Sequence, residues 1–244
     1  MTEMSEFQRT DYYSSTGDTL RAYVNKVMVR MGCGLALTGG VAFLLYTSLI
    51  RGGFFYSILS TMYSPLMVIC CIVQLAVAMI FSIRLTALST SACTALFYAY
   101  AALTGVTFSV LPLAFDFVTI FQAFLFTAVM FFSCAVIGHT TDVDMTRFSG
   151  LLRGGLIALL LTTVISIFVP ALRDSLLISY LAIGLFLALT AYDMQKIKSF
   201  YYSTDSYGTL RENLAVYGAF QLYLDFINLF LRVLQILGNR NNRR

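Results

Sequence analysis

Long uncharged apolar runs alternate with short charged segments along most of this chain. After a polar stretch carrying Arg9, Arg21, Lys26 and Arg30, the first run covers residues 31–50 and stops at Arg51, Gly52 and Gly53. A second leads to Arg84, with its spanning part after Pro65, and a third lies between Arg84 and Asp116, closed by Pro112. Residues 118–138 form a fourth, followed by a polar turn at 139–144; residues 153–169 form a fifth, closed by Pro170, Arg173 and Asp174. The sixth covers residues 176–193 and the seventh residues 214–237, separated by a polar stretch. A helix crossing a bilayer needs about 20 apolar residues, whereas barrel strands alternate polarity over about ten. The pattern therefore predicts an all-α membrane protein with seven transmembrane helices. Residues 1–26 form a polar N-terminal tail, 27–238 the transmembrane domain and 239–244 a basic C-terminal tail.

Composition agrees. Of 244 residues, 59% are apolar and 11% charged, against roughly 25% charged in soluble domains. The net charge of +4 leaves no basic footprint for nucleic acid. A single histidine, His139, excludes HExxH-type zinc chemistry. The five cysteines form no CxxC pair and read as small core residues. Asp142 and Asp144 resemble the start of a calcium loop, but Arg153 stands where its glutamate belongs. Gly150 and Gly154 form a helix-packing GxxxG. No nucleotide-binding glycine loop occurs, and no enzyme or cofactor is expected.

Lysine and arginine set the orientation, since cytoplasmic loops carry the excess. With the N-terminus in the cytoplasm, ten fall inside and two outside, leaving aside the last helix and its tail. Arg240, Arg243 and Arg244 then lie outside, against the rule.

Asp225 is the least expected residue, because a charge at mid-bilayer costs about 2.5–3.5 kcal/mol on insertion scales. Gln221, Asp225, Asn228, Arg232 and Gln235 recur at helical spacing and form one polar stripe that must face protein or a wet cavity. Asp225 reads either as an ion or proton site or as a structural carboxylate bonded to Arg232 or to neighbouring hydroxyls. Asp193 ends the sixth run, where it could instead reach the headgroups beside Lys196. Arg84 either snorkels or turns inward as counter-charge to the acids.

The segments TAYDMQKIK (190–198) and LYLDFINLFLRVLQILG (222–238) resemble the two acidic signatures of the Bax inhibitor family, in its bacterial branch. GHTTDVDMTRFSG (138–150) is similar to the family's turn between helices four and five. The resemblance implies a bundle with its last helix central, Asp193 and Asp225 sharing a proton, and a pH-sensitive calcium leak in a bacterial inner membrane. Transient Ca²⁺ binding by Asp193 and Asp225 would accompany transport. One departure is that the family arginine contacting the acids aligns with Ala87, so that Arg84, one turn earlier, is the available substitute. The competing reading, also from the resemblance, is a membrane-embedded regulator of an ATP-dependent membrane protease or of a cell-death response. An intramembrane aspartyl protease fits poorly, since the second acid stands in LYLDFIN without GxGD.

Overall fold

The computed structural model describes residues 6–52, 69–81, 83–85, 87–169, 175–204 and 208–241. The described residues form helices α1 (Glu6–Ile50), α2 (Ile69–Phe81), α3 (Thr90–Phe108), α4 (Leu111–Ala114), α5 (Phe117–Thr140), α6 (Ser149–Phe168), α7 (Leu176–Ser203) and α8 (Thr209–Asn241). A 3-10 turn, Met145–Phe148, links α5 to α6. Six of these helices are long and apolar enough to cross a membrane. The described part of α2 is about 20 Å long at 1.5 Å per residue, and the earlier part of the predicted second span lies outside the described residues, as do Pro65, Pro170, Arg173 and Asp174.

Local chemistry sets the helix ends. The Ser89 hydroxyl accepts from the Ala92 N–H at 3.3 Å, and the Asp116 carboxylate accepts from Thr119 N–H at 2.9 Å. Both are N-caps filling donors that the first turn leaves open. Gly52, with φ of +70°, ends α1 in the left-handed region that glycine adopts without strain. Pro112 sits in the first turn of α4, where a missing N–H costs nothing.

Several helices outrun their apolar runs. α1 starts at Glu6 rather than near residue 31, and α7 continues ten residues beyond Asp193. The extension of α7 is polar but satisfied. Lys198 Nζ donates to the His139 carbonyl at 2.7 Å, at the C-terminal end of α5. Gln195 donates to the Val143 carbonyl at 2.7 Å and accepts from Met145 N–H at 2.9 Å.

The helices run alternately up and down. One end, here the basic end, gathers Lys26, Arg30, Arg147, Arg153, Lys196, Lys198 and Arg211; the other is the distal end. At the basic end the Glu212 carboxylate of α8 pairs with Lys26 at 2.5 Å and Arg30 at 3.1 Å of α1. At the distal end Tyr46 of α1 meets Phe117 of α5 edge-on.

Helix α8 is the centre of the bundle. It packs against α1, α3, α5 and α7, Phe220 stacks on Phe81 of α2, and Arg232 reaches Thr163 of α6. Two thirds of its most apolar window (67%) is buried, against 6% for α6. A helix enclosed by others has no lipid face, so its apolar and polar sides both meet protein. Its aromatic core runs from Phe220 and Tyr223, against Phe97, to Phe226, against Phe131.

Candidate functional site

Helices α7 and α8 lie antiparallel, and one bond fixes their register: Lys196 Nζ donates to Gln221 Oε1 at 3.3 Å. One turn toward the distal end from that bond is Asp193 on α7, three residues back, and Asp225 on α8, four residues on. Residues three and four apart share a helix face, so the two acids meet across the interface. Both are buried, each 6% exposed. The two carboxylates are within electrostatic reach of one another, and the Lys196 ammonium acts on both. Asp225 Oδ2 is buried with no hydrogen-bond partner. Sixteen residues separate Asp225 from the start of its candidate span at Thr209 and fourteen from its end at Asn239, which puts it near mid-depth.

Close packing holds the site from the α5 side. A Cβ on Gly138 would collide with the Ala191 carbonyl oxygen and come within 2.6 Å of its Cα. Only a residue without a side chain permits this crossing, two residues from Asp193. On the distal side the wall is aromatic: Phe226 packs on Phe124 and Phe131, and Phe230 on Phe108. Beyond it lies an apolar cavity of about 340 Å³ between α1, α5 and α8, with Thr38 among its few polar residues.

The remaining members of the predicted site are placed apart from the acids. Arg84 is exposed at the basic end; the cation acting on the pair is Lys196, whose Nζ also lies 5.5 Å from the Tyr217 ring centroid. Arg232 does not pair with Asp225. It donates to Gln235 Oε1 and Thr163 Oγ1, each at 3.3 Å, two turns distal. Asn228 bonds its own helix at the Leu224 carbonyl, 2.8 Å away. Of the polar stripe, Gln221 and Asp225 alone belong to the site, and only Asp225 is buried. Asp144 caps the 3-10 turn through Thr146 N–H at 2.9 Å.

Sequence reasoning missed Lys196 as the site's cation, along with Gln195, Lys198 and Gly138, which hold α7 to the α5–α6 turn. Their signal was present in part: two lysines and a glutamine within five residues of Asp193. Among the described residues no three His, Cys, Asp or Glu side chains come together as a metal site. Ca²⁺ takes six to eight oxygens, so two carboxylates suit a passing ion better than a resident one.

Residues 20–242 match the family model described as "Inhibitor of apoptosis-promoting Bax1". The chain is 32% identical over 240 residues to "Inner membrane protein YbhL" of Escherichia coli, covering 97% of this chain and 100% of the relative. It is 32% identical to a protein of Rickettsia prowazekii, covering 91% of this chain and 92% of the relative. For a protein of Deinococcus radiodurans the identity is 34%, with 93% and 94% covered.

Proposed function

The chain belongs to the Bax inhibitor family, and from that premise we propose that it is a pH-sensitive calcium leak channel of a bacterial inner membrane, gated by a proton shared between Asp193 and Asp225. The observation that carries this reading is a pair of buried carboxylates facing each other near mid-membrane, with one oxygen of Asp225 left without a partner.

The physics runs from desolvation to movement. Two carboxylates close together in a low dielectric do not both ionise cheaply, so the pair retains one proton between them. With that proton in place, α7 and α8 attract through it, and the aromatic wall of Phe226 and Phe230 stays closed over the site. Removing the proton leaves two anions that repel and supply oxygen ligands suited to a passing Ca²⁺. Lys196 tempers the repulsion. Protons thus bias a two-state equilibrium between closed and open helix pairs. The inner-membrane setting follows the E. coli relative, an inner membrane protein. The positive-inside rule puts the basic end and the N-terminus in the cytoplasm.

The test is calcium entry into liposomes carrying the purified protein, scanned from mildly acidic to mildly alkaline pH. The wild type is expected to conduct more as the pair deprotonates. Asp225→Asn and Asp193→Asn are each expected to lose the pH dependence, because neither leaves two titrating carboxylates. Variants that keep the wild-type pH profile would remove the gate from this pair. Flux no greater than in protein-free liposomes at every pH would favour the regulatory reading, with Asp225 as a polar anchor between helices.

A further inference from the structure

At the basic end, α7 and the 3-10 turn enclose a second cavity of about 320 Å³ that differs in character from the apolar one. Lys196 and Lys198 are among its lining residues, one toward α8 and one toward α5. Tyr192, Ser199 and Tyr202 of α7 line it as well, with Thr146 of the turn. No carboxylate lines it. The nearby Asp144 accepts from the hydroxyl of Thr146, itself a lining residue, at 2.6 Å and lies 4.0 Å from Arg147; Asp193 is buried.

The described hydrogen bonds use one donor of each lysine: Lys196 to Gln221 and Lys198 to the His139 carbonyl. An ammonium has three. Two lysines and four hydroxyl-bearing side chains, with no carboxylate among the lining residues, suit a tetrahedral oxyanion. Depth narrows the choice further. Val143 and Phe148, before and on the adjoining turn, and Leu151 of α6 expose large apolar surface, and Tyr202 is 64% exposed, the amphipathic residue type enriched where hydrocarbon meets headgroups. The cavity therefore opens at headgroup level.

We infer that this cavity is a binding site for one phosphate group, held by Lys196 and Lys198. The phosphate is that of an anionic lipid headgroup or a free phosphate in solution, and both present the same oxygens. Lys196 is shared between this cavity and the carboxylate pair, so a bound phosphate competes with Asp193 and Asp225 for its charge. That regulatory consequence rests on the channel reading above, whereas binding itself does not.

The experiment is native mass spectrometry of the full chain, released from detergent after incubation with phosphatidylglycerol, with phosphatidylcholine, or with inorganic phosphate alone. Wild-type protein is expected to retain one phosphatidylglycerol in preference to phosphatidylcholine. Lys198→Gln should reduce that retention by about tenfold, the loss of one charge-assisted bond. Lys198→Arg keeps the charge and the contact with α5, and should retain the lipid. Arg153→Gln removes a cation at the same end that does not line the cavity, and should change nothing. Retention of inorganic phosphate without lipid preference, lost in Lys198→Gln, would assign the site to the soluble ion. Retention of neither ligand, or equal losses in Lys198→Gln and Arg153→Gln, would overturn the proposal. Flux is not read, so this result stands apart from the transport test.

Discussion

Single side chains do much of the joining in this bundle, and Asn213 is the clearest case. Its carboxamide is 1% exposed. It donates to the Leu85 and Leu88 carbonyls at 3.1 and 2.8 Å and accepts from the Thr90 hydroxyl at 2.9 Å. The start of α8 thereby holds Leu85, Leu88 and Thr90, where the chain enters α3. Asn213→Ala would leave half-buried carbonyls without these donors, a loss of about 1–3 kcal/mol. A lowered unfolding midpoint in detergent is the expected outcome, and an unchanged midpoint would count against the clamp. Asp225 was legible in the sequence because a carboxylate inside an apolar run has few explanations. Asn213 was not, since an asparagine ahead of such a run looks like a solvated helix start. Lys196 was hidden for a related reason: a lysine near the membrane boundary fits the charge rule equally well whether it faces water or an acid. Arg84 stood out only by interrupting an apolar run, which says where a charge lies along the chain and nothing about the direction it faces.

At the level of the element, helix ends respond to acid differently from the buried pair. Asp116 caps α5 from outside the membrane span, accepting from both the hydroxyl and the N–H of Thr119 at 2.6 and 2.9 Å. Those bonds favour the anion and hold its pKa below the ordinary 3.8. A carboxylate with a depressed folded value stabilises fully above its unfolded value and loses that contribution as pH falls through the folded one. Amide protection at Thr119 is thus expected to be flat through neutral pH and to drop only below the ordinary carboxylate range. Asp116→Asn, which still caps but does not titrate, should show no such drop in hydrogen exchange. The apolar runs located each described span, yet α7 exceeded its run by ten residues. Partners for Gln195 and Lys198 come from a turn some fifty residues away in sequence, which no local pattern reveals.

For the whole molecule, the central position of α8 makes the spacing of its neighbours decisive. The approach of α5 to α7 at Gly138 and Ala191 is backbone against side-chain-free backbone, so no flexible side chain can yield there. Gly138→Ala forces the helices apart next to Asp193. Overpacking of this kind costs about 1–3 kcal/mol, and both a lower unfolding midpoint and an altered pH profile of calcium flux are expected. Wild-type behaviour in both would mean that the crossing does not set the acid pair. The sequence offered Gly138 only as the end of a run; which helix would press against it depends on the assembled bundle.

That crossing also acts as a fulcrum. From Ala191, α7 extends about 22 Å toward Leu176 and about 18 Å toward Ser203 at 1.5 Å per residue. A rigid rod pinned at this point seesaws, its two ends travelling in opposite directions while the stretch beside the pin scarcely moves. Asp193 lies about 3 Å along the rod from the pin. Tilting α7 therefore swings its ends, Tyr202 beside Ser203 included, with little displacement of its own acid. Most of the separation between the two carboxylates must come from the other helix, the enclosed one, turning or sliding past a nearly stationary partner.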